Sequence, residues 1–305
     1  MPAEIFGTHY QFLEKEHLLT FEEMETVVKA GVDLGVKKVR LTGGEPLLRR
    51  GIEDLVALLS TIQGLEEIAM TTNGVLLGLY AERLALAGLS RVTVSLDAIE
   101  PEVFGKMNGV GAKIDRVLKS LDQAQLHGLP VKINTVVQKG VNESQIIPLL
   151  DYALERDIQL RFIEYMDVGE TNNWQKVEVL PTVEVQQILK SRFDLMPEAR
   201  SYGAVAENYE VYKNTKRLGR VGFISSVTRP FCSDCGRIRI SADGKAYGCL
   251  FANSGTSLKD LLREGSSQKE VTSFLNTFWS ARDDRYSELR GKVSLKKVEM
   301  SYIGG

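Results

Sequence analysis

The feature that most constrains the fold of this chain is a repeated alternation of short apolar runs with amphipathic helical patterns between residues 20 and 166. A capping-box pattern, Thr20-Phe-Glu-Glu23, opens a helix that we expect to end near Gly35. A β-rich run follows at 37–42. The same spacing predicts later strands at 66–72, 91–97, 130–137 and 158–166, with helices at 51–62, 80–87, 114–127 and 144–156 between them.

Strands separated by amphipathic helices indicate an α/β fold with a parallel sheet and right-handed crossovers. The sheet is either open and doubly wound or a full or partial barrel. In such folds the chemistry lies at the C-terminal ends of the strands. Polar residues of this chain collect at those ends, as in Gly43-Gly44-Glu45, Ser95 and Tyr165-Met166-Asp167. We therefore expect the functional site at that edge of the sheet.

Beyond about residue 170 the pattern changes to that of a smaller α+β region. Asp243-Gly244 there marks a hairpin turn. The pattern predicts a helix at 183–193, antiparallel strands at 208–213, 219–226 and 237–248, helices near 256–264 and 267–281, and a short terminal strand.

Composition narrows the class of protein. The 305 residues are 43% hydrophobic, which is ample for a sizeable core. A net charge of -2 and a pI near 6.1 predict no nucleic-acid partner and no anionic membrane partner. No apolar run approaches the roughly twenty residues of a membrane span, and the opening Met-Pro-Ala-Glu lacks the parts of a signal peptide. A cytoplasmic protein is expected.

The three cysteines of the chain are clustered as Cys232-x2-Cys235 and Cys249. An odd, clustered set with a two-residue spacer suits a metal site better than a disulfide framework. No His lies nearby, so only three protein ligands are available. Three ligands favour an iron-sulfur cluster with one open iron, or zinc with an external ligand, over idle thiols.

A second informative segment is Lys-Val-Arg-Leu-Thr-Gly-Gly-Glu-Pro at 38–46. Two glycines at a strand end expose backbone N–H donors, and Glu45 is placed to accept from an ammonium group. The segment resembles the stretch by which radical S-adenosylmethionine (SAM) enzymes hold the amino-acid end of SAM. Together with Phe-Cys-x-x-Cys-x-Arg-x-Arg at 231–239 and the terminal Gly-Gly, the whole chain resembles the GTP 3',8-cyclase family of molybdenum cofactor biosynthesis.

The resemblance implies a partial (β/α) TIM-like radical SAM barrel over 1–170 and a C-terminal α+β iron-sulfur domain over 171–305. It implies a lyase that converts GTP to 3',8-cyclo-7,8-dihydro-GTP with SAM and four-iron (4Fe-4S) clusters as cofactors. The implied partners are GTP, the cyclic pyranopterin monophosphate synthase that acts next, and a second copy of the chain as the candidate homodimer.

The resemblance also implies roles for individual residues, although it assigns no catalytic residue. Several fixed cations suit a triphosphate, and alternation along a strand places Lys38 with Arg40, and Arg237 with Arg239, on one face. The implied SAM-binding residues are Gly43, Gly44, Glu45, Ser95 and Met166. Those implied for GTP are Lys38, Arg40, Thr71, Lys132, Arg161, Arg237, Ile238 and Arg239. Cys232, Cys235 and Cys249 would hold the second cluster, and the tail Gly304-Gly305 would reach the active site.

One family element does not occur in this sequence. Family members carry a Cys-x3-Cys-x2-Cys loop and often continue from it as Met-Pro-x-Glu-Ile-Phe-Gly, which is where this chain starts, at residues 1–7. We expect the first barrel strand, the first cluster loop and an upstream GTP-binding Arg to be missing, and the chain to be inactive alone. The alternatives are a non-catalytic nucleotide-binding or metal-binding remnant and another radical SAM enzyme with an auxiliary cluster.

Overall fold

A parallel five-stranded sheet with helices between its strands forms the first part of the protein. A computed structural model describes residues 14–108, 111–169, 172–200, 203–290 and 297–304. The strands pair in chain order, and every pair is parallel, as predicted. They are β1 (Lys38–Leu41), β2 (Glu67–Thr72), β3 (Arg91–Ser95), β4 (Val131–Val137) and β5 (Gln159–Glu164).

The helices between these strands follow the apolar spacing of the sequence. The predicted capping box begins the first helix, since the backbone N–H of Glu23 donates to Thr20 Oγ1 at 3.1 Å and that of Thr20 donates to Glu23 Oε2 at 2.7 Å. One helix, starting at Pro101, was not predicted. The helices are α1 (Phe21–Asp33), α2 (Ile52–Ser60), α3 (Leu77–Leu86), α4 (Pro101–Asn108), α5 (Ile114–Leu126) and α6 (Ile146–Glu155).

The two faces of the parallel sheet differ in character because side chains alternate along each strand. One face is apolar and packs against the helices to form the main core. The opposite face carries polar and charged side chains. The buried core residues include Met70, Val92, Ile133 and Phe162 from the strands and Leu55, Leu84, Leu121 and Leu149 from the helices.

The sheet continues past residue 170 with antiparallel strands. After α7 (Thr182–Lys190) come β6 (Asp194–Pro197), β7 (Glu207–Lys213) and β8 (Lys216–Ile224). β8 pairs in parallel with β5, and β7 and β6 follow it outward, giving the order β1-β2-β3-β4-β5-β8-β7-β6. The antiparallel strands predicted at 208–213 and 219–226 are confirmed as β7 and β8, whereas β6 was not predicted. The architecture is a partial α/β barrel, and the domain division near residue 170 stays a prediction.

A small antiparallel sheet and short helices complete the C-terminal part. The predicted strand at 237–248 is two short strands joined at Asp243-Gly244, and the predicted helix at 256–264 starts only at Lys259. The residues just before Gly304 form a helix, so the predicted terminal strand is wrong there. The elements are β9 (Arg239–Ile240), β10 (Lys245–Tyr247), β11 (Thr256–Ser257), α8 (Lys259–Arg263), α9 (Gln268–Ser280), α10 (Tyr286–Leu289) and α11 (Met300–Ile303).

The last long helix connects this region to the beginning of the chain. Val271 and Leu275 of α9 pack with Val27 and Ala30 of α1 in a small apolar cluster. Among the described residues, no helix has the length and apolar character needed to cross a bilayer.

A buried carboxylate joins the parallel and antiparallel parts of the sheet. Glu164, at the end of β5, accepts from the backbone N–H groups of Thr182, Val227 and Thr228 at 2.8–2.9 Å. It also accepts from the hydroxyls of Thr182 at 3.1 Å and Thr228 at 2.6 Å. The side chain therefore ties the start of α7 and the segment after β8 to β5.

We expect Glu164→Gln to destabilise the protein markedly. The amide group would face donors now paired with a carboxylate oxygen, and each unsatisfied buried donor costs about 1–3 kcal/mol. Thermal and denaturant unfolding measure the effect. Glu102→Gln is the matched control, because the Glu102 side chain is 85% exposed and a surface pair contributes about 0–1 kcal/mol. Equal stability of wild type and Glu164→Gln would contradict this role.

Candidate functional site

The polar face of the parallel sheet carries a row of charged and hydroxyl side chains. Arg40 pairs with Ala69, and Ala69 with Arg91. Residues paired directly across strands point to the same face, so the register defines the set. We call this set the polar face, and it consists of Lys38, Arg40, Glu67, Thr71, Arg91, Thr93, Ser95, Lys132, Asn134, Gln159 and Arg161.

Glu67 is the carboxylate of the polar face, and it pairs with two cations. Its oxygens lie 2.6 Å from Lys38 Nζ and 2.6 Å from Arg91 Nε. Burial raises the pKa of Glu67, but hydrogen bonds from Lys38 and the Arg91 charge outweigh it, so the pKa lies below its ordinary value. Lys38 is thus partly neutralised, and its side chain is 54% exposed.

The other cations of the polar face have no carboxylate partner within the described ranges. Arg40 donates to Thr71 Oγ1 at 3.4 Å, and Arg161 to Thr93 Oγ1 at 3.5 Å. Lys132 and these two arginines form no salt bridge there. Hydroxyl groups at such distances do not balance the charge of a guanidinium.

The pKa values of these groups reflect an uncompensated positive region. Burial lowers the pKa of Lys132 to about 8, and the charges of Arg161 and Arg91 act in the same direction. Burial and the neighbouring Arg40 lower the pKa of Arg161 to about 10. Arg161 Nε and Asn134 Oδ1 are buried without a hydrogen-bond partner. The unpaired Arg161 Nε is a donor beside clustered cations and is suited to a polyanion, whereas Asn134 Oδ1 is an acceptor and is suited to a donor group of a ligand.

Two more arginines belong to the C-terminal region, and one of them, Arg237, lies near the polar face. Burial and the Arg237 charge lower the pKa of Arg239 to about 10, and Arg239 Nη1 is buried without a partner. The charge of Arg237 contributes to lowering the pKa of Arg40, after burial and Arg91. Arg237 and Arg40 are therefore near enough to repel each other, so the two sets of cations converge.

One detail of the predicted arginine segment is wrong, namely the placement of Arg237 and Arg239 on one strand. β9 begins at Arg239, so Arg237 precedes the strand and alternation along one strand does not relate the two side chains. The side chain of Ile238 packs against the small apolar cluster of α1 and α9. The partly buried Ile238 stays a predicted GTP contact.

The three cysteines lie beside these arginines. Arg237 Nη2 donates to Cys235 Sγ at 3.2 Å, and Arg282 Nη1 to the Cys235 carbonyl at 2.5 Å. Burial raises the pKa of Cys235, but the Arg237 charge and hydrogen bond outweigh it and lower the pKa below its ordinary value. A thiol stabilised as thiolate is the form that binds metal.

The spacing of the thiols bears on which metal suits them. The three sulfur atoms, all in the described part of the chain, are not gathered within 4.8 Å of one another. Thiolates on one tetrahedral zinc, with Zn–S bonds of about 2.3 Å, stand about 3.8 Å apart. A four-iron cluster spreads its ligands over a larger body, so three thiolates at this spacing are compatible with such a cluster.

The loop after β1 is held by Glu45. Its carboxylate accepts from Leu47 N at 3.1 Å, Thr72 Oγ1 at 2.7 Å and Asn73 N at 2.8 Å. Glu45 therefore anchors the loop to the end of β2, in addition to any bond to an ammonium group. Gly43 has φ +129°, a conformation that favours glycine, and open space lies where its Cβ would be.

The remaining residues implied for SAM lie at the ends of neighbouring strands. Ser95 ends β3 beside Asn134 and is exposed. Met166 follows β5, where its carbonyl accepts from Asn172 Nδ2 at 2.9 Å. Both lie at the C-terminal edge of the sheet together with the Gly43 loop, as the strand-end argument predicts.

The C-terminal tail reaches this same edge. Gly304 has φ +74°, and a Cβ on it would lie 2.8 Å from Thr42 Cγ2 and 3.9 Å from Gly43 N. The tail backbone therefore packs directly on the loop after β1. Gly305 lies outside the described residues.

Sequence reasoning missed three residues of this region. Arg91 and Thr93 lie on the polar face within a run that was treated only as an apolar strand. The alternation that identified Arg40 could have found both. Glu67 gave no such signal, because a carboxylate at a strand start resembles an ordinary surface charge.

Comparison with known proteins identifies the family. Residues 5–153 match the radical SAM superfamily model, and residues 158–288 match the Molybdenum Cofactor Synthesis C model. Streptococcus suis SuiB bound to S-adenosylmethionine shares the fold, with TM-score 0.58 and 16% identity over 87% of this chain and 63% of that one.

Curated relatives match over the full length of the chain. The GTP 3',8-cyclase of Staphylococcus haemolyticus is 46% identical over 311 residues, covering 100% of this chain and 91% of the relative. That of Staphylococcus saprophyticus is 44% identical over 312 residues with the same coverage. With both family models present and this identity maintained throughout, the chain belongs to the radical SAM GTP 3',8-cyclase family of molybdenum cofactor biosynthesis.

Proposed function

We propose that this chain binds GTP as a GTP 3',8-cyclase-type protein, a lyase that forms 3',8-cyclo-7,8-dihydro-GTP. The observation that carries the proposal is a set of cations, most of them partly buried, that form no salt bridge in the described part of the chain. Arg40 lies near Lys132's neighbour Arg161 on the sheet and is also near Arg237, and Arg239 lies beside Arg237. A triphosphate supplies the negative charge and the acceptor oxygens that these donors lack.

The cysteine site supports a place for the purine end of the nucleotide. Cys232, Cys235 and Cys249 fit three corners of a four-iron cluster, which leaves one iron without a protein ligand. Arg237 contacts Cys235 and also lies near Arg40. A nucleotide whose phosphates lie on the polar face could therefore extend toward the cysteines.

The loop after β1 supports a SAM site at the sheet edge. The residues proposed to contact SAM are Gly43, Gly44, Glu45, Ser95 and Met166, whereas Thr71, bonded to Arg40, is proposed to contact GTP. When bound, SAM and the cluster that reduces it supply the one-electron chemistry of the family. The residues of this chain orient both molecules and hold the phosphate charge.

The number of cysteines bears on the activity of this polypeptide. All three in its 305 residues belong to the site just described. A cluster that reduces SAM needs further thiolates. We therefore propose that a polypeptide of this sequence binds GTP but does not cleave SAM by itself. Because the cysteine count favours GTP binding without SAM cleavage, non-catalytic nucleotide binding is the second candidate function.

The location and the partners of the protein follow from the same proposal. We place the protein in the cytoplasm, where reducing conditions keep the thiols reduced. The cyclic pyranopterin monophosphate synthase would take the product, and a homodimer is the proposed assembly.

We expect anaerobic reconstitution to give about four irons and four sulfides per chain, because three thiolates can hold one cluster. Cys235→Ser should remove the cluster. Ser233→Ala is the control, because Ser233 is exposed between two of the ligands and should retain the full iron content. Iron, sulfide and zinc analysis decides the question. About eight irons per chain, or stoichiometric zinc without sulfide, would contradict the assignment.

GTP affinity of the reconstituted protein should depend on the converging arginines. Arg237→Ala and Arg239→Ala should each weaken binding by about tenfold or more, since a hydrogen bond to a charged group contributes about 1.5–3 kcal/mol. Arg83→Ala, whose side chain is 53% exposed on α3, should bind as wild type does. Calorimetric titration measures all four proteins. Equal affinity of wild type and both site variants would reject the phosphate site.

GTP affinity should also fall as the pH rises from 7 to 9. The pKa of Lys132 is about 8 in the free protein, so the lysine is largely charged at pH 7 and loses its proton above pH 8. Binding a polyanion then requires proton uptake, and affinity should decline by up to about tenfold per pH unit. Lys132→Arg should bind with a much weaker pH dependence. An identical pH profile for both proteins would exclude Lys132 from the site.

A further inference from the structure

The carboxylate of Asp167 collects three donors from the C-terminal segment. It lies directly after Met166 and is buried. Arg290 Nε donates to Oδ1 at 2.7 Å, while Tyr286 Oη at 2.7 Å and Lys297 Nζ at 2.8 Å donate to Oδ2. Lys297 Nζ also donates to the main-chain carbonyl of Asp167 at 2.8 Å. One side chain at the end of β5 thus holds residues more than a hundred positions away.

The charges of this cluster are stable at neutral pH. Burial raises the pKa of Asp167, but hydrogen bonds from Lys297 and Tyr286 and the charge of Arg290 outweigh it and lower the pKa below its ordinary value. Burial lowers the pKa of Lys297, but its bonds to Asp167 and Tyr286 outweigh that and raise the pKa. Removing one charge from such a buried set leaves the others uncompensated.

The cluster is connected to the loop of the third cysteine. The ring of Tyr286 stacks on Phe251 with centroids 4.7 Å apart. The backbone N–H of Phe251 points to Cys249 Sγ at 3.5 Å. Arg290 also donates to the Ser226 carbonyl at 3.0 Å, in the segment after β8. Asp167 is therefore connected to Cys249, a proposed cluster ligand, through Tyr286 and the ring stack of Tyr286 on Phe251.

Beyond Lys297 the tail returns to the loop after β1. Val298 N donates to the Ala252 carbonyl at 3.0 Å, and Tyr302 Oη to Asp243 Oδ2 at 2.5 Å. Gly304 then packs on Thr42 and Gly43. We call residues 297–304 the tail. It starts at Asp167, beside Met166, and ends at the Gly43 loop, so it spans the edge of the proposed SAM site.

We propose that Asp167 is a positioning residue that fixes the tail across the site and sets the Cys249 loop relative to Met166. The importance of this arrangement for GTP and SAM rests on the proposed function. The anchoring itself depends only on contacts within this chain. Asp167 touches neither the polar face nor a cysteine directly, so it acts through Lys297, Tyr286 and Phe251.

The test compares Asp167→Asn with the control Asp122→Asn, whose side chain is 57% exposed on α5. Hydrogen exchange measured by mass spectrometry follows the tail and the sheet strands separately. Asp167→Asn should raise exchange of the 297–304 amides about tenfold or more while β2–β4 keep their protection. Unchanged tail exchange in this variant would overturn the proposal. If the amides of β2–β4 also exchange faster in Asp167→Asn, the variant Lys297→Met is measured as well. In Lys297→Met, faster exchange confined to the tail supports the positioning role of Asp167, and unchanged tail exchange overturns it.

A spectroscopic measurement tests the link to the Cys249 loop. The electron paramagnetic resonance spectrum of the reduced, reconstituted protein should change in Asp167→Asn and stay unchanged in Asp122→Asn at equal iron content. Tyr286→Phe keeps the stack on Phe251 and should change the spectrum less. An identical spectrum in wild type and Asp167→Asn would reject this link. The exchange experiment needs neither GTP nor the cluster. Failure of the wild-type protein to bind GTP would therefore refute the proposed function but would not contradict the anchoring of the tail by Asp167.

Discussion

The structure of this protein depends on one electrostatic constraint. One face of its β-sheet holds a group of cations with too little negative charge to balance them. Alternation along the strands turns the apolar side chains to the helices and leaves the charged ones together on the other face. Glu67 forms salt bridges with Lys38 and Arg91, and its charge offsets the repulsion at Arg40, Lys132 and Arg161 only in part. The lowered pKa values of Lys132 and Arg161 indicate that the fold bears an electrostatic cost. Apolar packing on the opposite face offsets that cost.

The same constraint explains why the C-terminal region must be positioned accurately. Arg237 and Arg239 add to a repulsive set, so their approach is unfavourable without a ligand. The approach is maintained by contacts elsewhere, including the packing of α9 on α1. Glu164 contributes by bonding the segment after β8 to β5 through Val227 and Thr228. That segment leads to Cys232, so one buried carboxylate helps to set where the cysteine site begins.

Much of the parallel sheet could be predicted because its signals are local. Helical and strand periodicities, the capping box at Thr20 and the glycines at 43 and 44 depend on neighbouring residues alone. The hairpin at Asp243-Gly244 and the clustered cysteines are equally local. The extra helix at Pro101 was missed because the run around it is short and ends in a glycine-rich segment.

The parts that could not be predicted depend on partners distant in sequence. The bonds of Glu45 to Thr72 and Asn73 exist only once β1 and β2 are paired. β6 has little apolar pattern of its own and is a strand because β7 pairs with it. The side chain of Ile238 turns to the core because α1 and α9 offer apolar surface there. Pairwise tertiary contacts of this kind leave no periodic trace in a single sequence.

The parallel sheet and the tail are stabilised by different kinds of interaction. Strands of the parallel sheet are covered by buried apolar side chains, so opening them exposes much of the core. The tail contributes the buried Ile303 but otherwise depends on charged and polar contacts, notably those of Lys297 and Tyr302. Loss of one such contact therefore releases a segment rather than the fold. The tail at the site edge is therefore anchored by interactions separate from those that hold the sheet with the cations, and Asp167 stands at the boundary between the two.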